Sequence, residues 1–401
     1  MALIVKKFGG SSVKDAEHVK NVAGIIVDEY KSGNNVIVVV SAQGDTTDDL
    51  IEKAKEISPN PTKREMDMLL TAGEQISISL LAMAIETMGC PVISLLGWQA
   101  GFNTDSHHGI ARIKKINTER MKTELAKGNI IIVAGFQGIN KYDDLTTLGR
   151  GGSDTSAVAI AAAMSADRCQ IYTDVDGVYT ADPRKVKGAV KMDEVQYDEM
   201  LEMATLGAQV LNNRSVEMAK KYNVELEVLS SLERKPGTII KEHTKMEKTL
   251  IRGVAKDTSV TTISLVGLND KPGVAFKLFN KLAQYNVNVD IILQSVGRDG
   301  TKDITFTVSH EQCDDALKAI DAMKDVFECK EVKTNNSMSK ISIVGAGMET
   351  NPGVAAKMFE ALYDKDINIH MISTSETKIS VLIDTELADR AVQAVHDAFI
   401  G

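Results

Sequence analysis

The stretch best suited to chemistry is a glycine-rich loop, residues 147–156, which holds one arginine and one aspartate among its glycines. Glycines allow backbone N–H groups to come close to a ligand. The apolar run from Ala157 to Met164 predicts a helix whose start favours an anion. Arg150 offers a planar fork for a carboxylate or a phosphate, whereas Asp154 places a negative charge inside this otherwise electropositive loop. The pattern predicts an anion-binding site rather than an ordinary surface turn before a helix.

A second glycine-containing loop lies close to the N-terminus. Residues 3–5 predict a short strand, the motif Lys7-Phe8-Gly9-Gly10-Ser11-Ser12 follows, and apolar positions at helical spacing then run from Ala16 to Lys31. A strand, a Gly-Gly loop and a helix together are typical of phosphate binding. The motif is neither a Walker A sequence, because its lysine precedes the glycines, nor Gly-x-Gly-x-x-Gly. A plain strand-to-helix turn remains the alternative.

Two further segments carry polar groups where ligands are expected. The β-branched run at residues 36–40 predicts a central strand, and its carboxyl end leads to Ser41 and Thr47, whose hydroxyls can donate to an anion. Glu74 lies in an apolar helical segment that begins near Lys63. This glutamate either faces solvent or holds an ammonium group.

A fourth polar segment, residues 174–184, follows a predicted strand at residues 170–173. Tyr179 could pack on a nucleotide base, Arg184 could reach phosphates, and Asp182-Pro183 predicts a turn. The Asp-x-Asp-Gly beginning is similar to that of a calcium loop, but the bidentate glutamate that such a loop needs does not follow.

The elements that position these segments alternate between strands and helices. Residues 91–95 and 130–134 predict further buried strands, and residues 97–108 predict a long polar loop. Repeated strand–loop–helix units indicate an α/β fold with a mostly parallel sheet.

Composition narrows the class of protein. A chain of 401 residues predicts two or three domains, and a net charge of -9 without basic clusters argues against nucleic-acid binding. Four widely spaced cysteines indicate reduced thiols in a cytoplasmic protein rather than zinc or disulfides. No signal peptide is expected, and no apolar run approaches the ~20 residues that span a membrane. The adjacent pair His107-His108 is a poor metal site, because neighbouring side chains point apart.

The C-terminal part repeats itself. Residues 270–279 match residues 350–359, an offset of 80 residues. Asn288 and Ser295 match Asn368 and Ser375 at the same offset. An offset without gaps predicts two copies of one βαββαβ unit. The predicted strands are residues 262–266, 287–293 and 303–308 in the first copy and 340–344, 367–372 and 378–383 in the second.

Taken together, these motifs resemble those of the aspartokinases of the amino-acid kinase family, over nearly the whole chain. The resemblance implies phosphoryl transfer from ATP to the side-chain carboxylate of L-aspartate, giving 4-phospho-L-aspartate, the first step towards lysine, threonine and methionine. It also implies a three-layer αβα catalytic domain at residues 1–245 and two ferredoxin-like ACT units at 246–336 and 337–401. The motifs that carry it are Lys7 to Ser12, Ser41-Ala42 with Thr47, Thr71-Ala72-Gly73-Glu74, Gly149 to Asp154, and Thr173 to Arg184.

The resemblance also implies roles for individual residues. Lys7 and Asp154 would lie at the reacting centre, and Mg²⁺ would come with ATP, without a dedicated metal-binding cluster. The aspartate-binding residues would be Ser41, Thr47, Glu74, Arg150 and Ser153. The nucleotide-binding residues would be Lys7, Phe8, Gly9, Gly10, Gly151, Gly152, Thr173, Asp174, Tyr179, Asp182 and Arg184.

For the ACT units, the resemblance implies an amino-acid effector, lysine or threonine or both, and assembly into a homodimer or a larger symmetric oligomer. It also allows a separate regulatory subunit that starts near Met246. The effector-binding residues would be Asp270, Gly273, Val274, Ala275 and Gln294 on one copy, with Asn368, Ile369, Thr374, Ser375 and Glu376 on the other.

Several positions depart from the family pattern. Gln75 stands where arginine is frequent, Gln209 where some members have a nucleotide-contacting lysine, and Asn212-Asn213 replaces a frequent His-Pro. These departures concern ATP affinity and loop geometry. The alternatives are another amino-acid kinase, such as glutamate 5-kinase, and an amino-acid sensor without activity.

Overall fold

A computed structural model describes residues 1–205, 210–243, 251–296, 300–323, 329–345, 348 and 351–401. The chain divides into two compact units. The described part of the first comprises residues 1–179, 191–205 and 210–243, and that of the second comprises residues 180–190 and the described residues from 251 onwards. Gln209 and Met246 lie outside the described residues. The domain boundaries at 245/246 and 336/337 stay predictions.

The first unit contains a large sheet with helices on its faces. The strands of this unit are β1 (Leu3–Phe8), β2 (Asn35–Val40), β3 (Val92–Leu95), β4 (Phe102–Thr104), β5 (Ile113–Ile116), β6 (Ile130–Ala134), β7 (Gln137–Ile139), β8 (Leu145–Thr147), β9 (Arg168–Thr173), β10 (Glu194–Gln196), β11 (Leu226–Ser230) and β12 (Thr238–Lys241). The strand order of the large sheet is β10-β12-β11-β9-β1-β2-β6-β3, and every neighbouring pair is parallel except β11 with β12.

Both faces of the large sheet are covered. Val38 and Val40 of β2 pack into a core with the first and third helices, and the intervening Ile37 and Val39 are also fully buried. Because alternate side chains of a strand point to opposite faces, this burial confirms the predicted α/β class. The helices are α1 (Ala16–Lys31), α2 (Thr46–Ile57), α3 (Lys63–Thr87), α4 (Glu119–Ala126), α5 (Gly152–Met164), α6 (Tyr197–Thr205) and α7 (Asn213–Tyr222).

A small second sheet, with strand order β5-β4-β7-β8, lies in the same unit. The prediction of a continuous loop over residues 97–108 was wrong, because β4 forms within it. A strand of three residues is too short to show an alternating pattern, so its partners rather than its own sequence determine it.

Helix α3 is long and apolar enough to cross a membrane by length and composition alone. Half of its most apolar stretch is buried inside the protein, and it packs against α1 and α2. It also carries the buried carboxyl groups of Asp67 and Glu74. These features are those of a core helix.

The second unit contains one antiparallel sheet that combines both copies of the repeat, in the order β14-β15-β13-β16-β18-β17. The helices that follow the two Pro-Gly turns begin after glycines in the same left-handed conformation, with φ +92° at Gly273 and +95° at Gly353. Its elements are β13 (Gly253–Asn269), α8 (Val274–Gln284), β14 (Ile292–Val296), β15 (Thr301–Ser309), α9 (Cys313–Asp321), β16 (Glu331–Val344), α10 (Val354–Tyr363), β17 (Met371–Thr374), β18 (Lys378–Asp384) and α11 (Ala388–Phe399).

Two predicted strands begin later than expected. The predicted strand at residues 287–293 starts only at Ile292, and the one at residues 367–372 starts at Met371. In both copies a residue in the left-handed conformation shortly after the helix, Asn286 or Asp366, turns the chain back. The Val287 and Ile367 N–H groups then bond to Leu282 O and Leu362 O. These bonds end the helices and keep the next residues out of the sheet.

The repeat units are not contiguous in sequence. Residues 253–257, at the start of β13, pair with residues 340–344 of the second copy. Residues 260–265 and 268–269 of the same strand pair with β15 of the first copy. The second copy's core also includes Ala181 and Val186. Residues 180–190 therefore fold with the C-terminal part of the chain.

Candidate functional site

The first unit contains a cavity of about 480 Å³ in which both predicted loops meet. It lies at the carboxyl ends of β1 and β2, the position at which open α/β sheets bind ligands. Of the predicted catalytic and aspartate-binding residues, every one lines it: Lys7, Ser41, Thr47, Glu74, Arg150, Ser153 and Asp154. Gly151 and Gly152 of the predicted nucleotide set also line it.

An ion pair joins the two loops at this cavity. Lys7 Nζ lies 2.7 Å from Asp154 Oδ1, and both side chains are largely buried. The preceding Lys6 points to the other face of β1, where its Nζ lies 2.8 Å from Glu29 Oε2. Strand alternation therefore places one of the two adjacent lysines in the site and the other in a buried ion pair.

The N-terminal glycine loop depends on close backbone contact. Gly44 N donates to Gly10 O at 3.0 Å. A Cβ atom on Gly10 would lie 2.6 Å from Ala42 O and 2.9 Å from Gly44 O. Only glycine therefore lets the loop after β1 lie against the loop after β2.

We expect Gly10→Ala to lower the free energy of unfolding by about 1–3 kcal/mol, because the added methyl must push two backbone segments apart. Urea unfolding followed by the fluorescence of Trp98, the one tryptophan of the chain and a residue of the first unit, measures this effect.

Gly24→Ala is the matched control, because the nearest atom to its added Cβ is Arg234 Nη2 at 3.7 Å. In the interior of α1 this change should stabilise the protein by up to about 1 kcal/mol. Unchanged stability in Gly10→Ala would contradict the close packing of the two loops.

The Arg150 loop enters helix α5 through two left-handed glycines, Gly149 with φ +82° and Gly151 with φ +69°. A Cβ on Gly151 would lie 2.3 Å from Asn212 Nδ2. That same amide donates to Arg150 O at 3.0 Å. The departure from the family pattern at Asn212 thus supplies a tie to this loop. The Arg150 side chain is exposed.

Glu74 is buried, and its carboxyl group has an incomplete set of partners. Oε1 accepts from Ala42 N–H at 3.2 Å, whereas Oε2 has no hydrogen-bond partner within the described part of the chain. Burial raises the pKa of Glu74 to about 7. An unpartnered carboxylate oxygen in a cavity is suited to a cationic group of a ligand.

The predicted nucleotide residues do not all belong to one unit. Thr173, Asp174 and Tyr179 belong to the first unit, and Asp182 and Arg184 to the second. Thr173 Oγ1 donates to Asp174 Oδ1 at 3.0 Å, and Arg184 Nε donates to Asp182 Oδ1 at 3.0 Å. Tyr179 OH donates to Asp176 Oδ1 at 2.7 Å, a bond that raises the pKa of Tyr179 to about 12.

Sequence reasoning missed Asp67 and His108, which also line the cavity. Asp67 lies seven residues before Glu74 in α3, so both carboxyl groups project from one face of that helix. Two acidic residues at this spacing in an apolar segment were the available signal. His108 had none, since its partner Asp67 lies far away in sequence.

The predicted effector residues form two separate groups in the second unit. Gln294 lies on β14 and Thr374 on β17, the two outer strands of the six-stranded sheet. Five strand spacings separate these edges, or about 24 Å. One ligand therefore cannot contact both groups within a single chain. Asp270 Oδ1 already pairs with Lys302 Nζ at 2.6 Å.

Family models match both the N-terminal and the C-terminal part of the chain. A model of the amino acid kinase family matches residues 2–230, and a model of the ACT domain matches residues 263–323 and 341–399.

Relatives match over the full chain. An aspartokinase of Bacillus sp. (strain MGA3) is 50% identical over 400 residues, covering 100% of this chain and 97% of that protein. An aspartokinase of Mycolicibacterium smegmatis is 52% identical over 406 residues, covering 100% and 96%. The crystal structure of E. coli aspartokinase III with aspartate and ADP matches all of both chains, with a TM-score of 0.86 and 25% identity. The same enzyme with lysine and aspartate gives a TM-score of 0.76.

Proposed function

The chain belongs to the amino acid kinase family and, within it, to the aspartokinases, and we propose that its cavity is the aspartate site of an aspartate kinase. The enzyme transfers a phosphoryl group from ATP to the side-chain carboxylate of L-aspartate, giving 4-phospho-L-aspartate. The observation that carries the assignment of the site is the Lys7–Asp154 ion pair within a cavity that Glu74 and Arg150 also line.

The reacting groups explain why a lysine and an aspartate suffice at the centre. The nucleophile is a carboxylate with an ordinary pKa near ~4, so it is ionised at neutral pH and needs no general base. Catalysis then consists of bringing two anions into line and offsetting their charge. Lys7 supplies positive charge to the transferring phosphoryl group, and Asp154 holds the Lys7 ammonium in place.

Aspartate would be held by its charged groups. Arg150 binds the α-carboxylate, and Glu74 Oε2 takes up the ammonium group. The hydroxyls of Ser41, Thr47 and Ser153 donate to the substrate carboxylates. This assignment of the substrate groups relies on the unpartnered buried oxygen of Glu74 and on the exposed guanidinium of Arg150.

ATP would be held by backbone and side-chain groups around the same loops. The Gly9 and Gly10 backbone and the start of α5 at Gly151-Gly152 face the phosphates, next to Lys7 and Phe8. Thr173, Asp174 and Tyr179 of the first unit contact the nucleotide, and the nucleotide contacts expected of Asp182 and Arg184 stay predictions. Mg²⁺ enters with ATP and offsets the charge of its phosphates. Among the described residues, no group of three or more potential ligands is arranged for a metal.

The ACT units would carry regulation and assembly. We propose lysine, threonine or both as inhibitors in a cytoplasmic enzyme, bound between ACT units of different chains. The separation of the two predicted effector groups to opposite edges of one sheet supports a site shared between two copies of the chain. An independently translated regulatory subunit starting near Met246 remains part of this proposal.

The test is hydroxamate formation with ATP, Mg²⁺ and hydroxylamine, because acyl phosphates react with hydroxylamine. Aspartate should give the hydroxamate and glutamate should not. A glutamyl product alone would indicate glutamate 5-kinase activity, and effector binding without turnover would indicate a sensor. Adding lysine and threonine, singly and together, then identifies the inhibitor.

A further inference from the structure

Asp67 is a buried carboxylate to which the proposed function gives no role. It is 1% exposed, and both of its oxygens have hydrogen-bond partners. Thr147 Oγ1 donates to Oδ1 at 2.5 Å, and the Gly109 N–H lies 3.1 Å from Oδ1 and 3.0 Å from Oδ2. His108 Nδ1 lies 2.8 Å from Oδ2. Asp67 therefore connects helix α3 to the loop around His108 and to the end of β8.

His108 has one nitrogen engaged and one available. Its Nδ1 is held by Asp67, and its side chain is 18% exposed and lines the cavity. No hydrogen bond to Nε2 is formed by any described residue. The neighbouring His107 differs, since its side chain is 76% exposed and pairs with Asp105 outside the cavity lining.

The loops that carry His108 and Arg150 lie against each other. Ala111 N donates to Thr147 O at 2.8 Å. A Cβ on Gly149 would lie 3.3 Å from Gly109 O. His108 directly precedes Gly109, and Arg150 directly follows Gly149, so both residues lie next to this contact. Both also line the same cavity.

We propose that His108, positioned by Asp67, is a substrate-binding residue that donates from Nε2 to the α-carboxylate of aspartate beside Arg150. This inference rests on the proposed aspartate site. The substrate has two carboxylates. One must be at the Lys7–Asp154 pair to react, so the other needs donors elsewhere in the cavity.

Donation from Nε2 to the substrate carboxylate, with Nδ1 donating to Asp67, requires a proton on each ring nitrogen. Asp67 fixes the orientation of the ring through Nδ1, at 2.8 Å. Glu74 lies two turns further along α3 and is left for the ammonium group.

The decisive variant is His108→Asn. The asparagine amide can still donate to Asp67 in the manner of Nδ1, but it has no counterpart of Nε2. We expect the KM for aspartate to rise about 10- to 100-fold, as for a lost hydrogen bond to a charged group, with kcat within about two-fold and the KM for ATP unchanged. His107→Asn is the matched control and should leave all three constants unchanged.

A second measurement identifies the substrate group that His108 contacts. The wild type should prefer aspartate to its α-amide, which lacks the carboxylate. This preference is measured as the ratio of the two kcat/KM values. In His108→Asn the ratio should shrink by the same factor by which kcat/KM for aspartate falls. His108→Ala, which also loses the Asp67 bond, should in addition unfold at lower urea concentration.

A wild-type KM for aspartate in His108→Asn, with impairment only in His108→Ala, would overturn the proposal and leave His108 as a structural link. An unchanged preference for aspartate over the α-amide would overturn it as well. Failure of the proposed function has a different signature, since the wild type would then form no aspartyl hydroxamate. In that event, calorimetric titration of wild type and His108→Asn with aspartate in the presence of ADP still decides, and equal affinities count against His108.

Discussion

Replacing Asp154 with asparagine should lower kcat by about 10²- to 10³-fold, the range seen when a preorganised electrostatic group is removed from a reacting centre. Asparagine keeps the shape of the side chain but not its charge. The Lys7 ammonium then loses the partner that lies 2.7 Å away and no longer stays at the proposed position of phosphoryl transfer. The KM for ATP should change by less than about three-fold, because the proposed site binds the phosphates mainly through backbone N–H groups.

The matched control for this change is Asp198→Asn. Asp198 also pairs with a lysine, Lys220, at 2.6 Å, but both side chains are well exposed and lie outside the cavity lining. An exposed ion pair contributes little, so kcat should not change. Steady-state kinetics of both variants decides the matter, and an Asp154→Asn enzyme with wild-type kcat would remove Asp154 from the reacting centre.

Glu74→Gln should have two opposite effects, a more stable ligand-free protein and a much weaker aspartate site. Glutamine keeps the shape of the side chain and removes the buried charge. Without the carboxylate, the substrate ammonium loses its partner, and kcat/KM for aspartate should fall by about 10²-fold or more.

The stability effect has a definite sign and pH range. Burial raises the pKa of Glu74 from 4.5 to about 7. Below pH 4.5 the group is neutral in both the folded and the unfolded chain and has no effect. As pH rises from 4.5 to 7, the unfolded chain ionises first, so the free energy of unfolding falls, by about 3 kcal/mol in total. Above pH 7 the loss is constant, and Glu74→Gln should recover it.

Urea unfolding at pH 5 and pH 8, followed by Trp98 fluorescence, measures this difference in the first unit. Glu74→Gln should be more stable than the wild type at pH 8 and nearly equal to it at pH 5. The pH dependence of activity should also report the ionisation of Glu74. In the wild type kcat/KM for aspartate should fall as pH drops below about 7, because a neutral Glu74 cannot pair with the ammonium group, and this dependence should be absent in the variant.

Glu124→Gln is the control for the sign. The pKa of Glu124 is lowered, first of all by its hydrogen bond from Lys127. Its ionised form therefore stabilises the fold, and the glutamine variant should be less stable at pH 8. A Glu74→Gln protein that is also less stable than the wild type at pH 8 would contradict the view that Glu74 is a buried, unpaired carboxylate.

Much of the catalytic unit follows from local patterns. The run at residues 130–134 predicts its strand to the residue, and the helix predicted from Ala16 to Lys31 has those bounds in the structure. Buried parallel strands are continuous apolar runs, and helices repeat every 3.6 residues, so each is visible in its own segment. The two glycine loops were visible for a similar reason, since ligand-binding turns need residues of unusual type.

The polar partners inside the cavity were not visible in this way. The Lys7–Asp154 pair, the Asp67–His108 pair and the Asn212 tie to Arg150 each join segments that are distant in sequence. The local sequence of one segment does not indicate its partner, because a hydrogen bond depends on where the folded backbone places the two side chains. The resemblance to a family implied that Lys7 and Asp154 lie at one reacting centre, and the structure alone placed Asp67 and His108 in the same cavity.

The sequence by itself determined the α/β class and the two glycine loops, because local residue types and spacing indicate both. It also determined the repeat at an offset of 80 residues, because two matching segments can be compared without knowing the fold. Only the tertiary structure decided that residues 180–190 fold with the C-terminal unit, that β13 pairs with strands of both ACT copies, and that the two groups of predicted effector residues lie at opposite sheet edges. Strand pairing and core packing are chosen by the whole chain, since a strand carries the same alternating pattern whichever neighbour it pairs with.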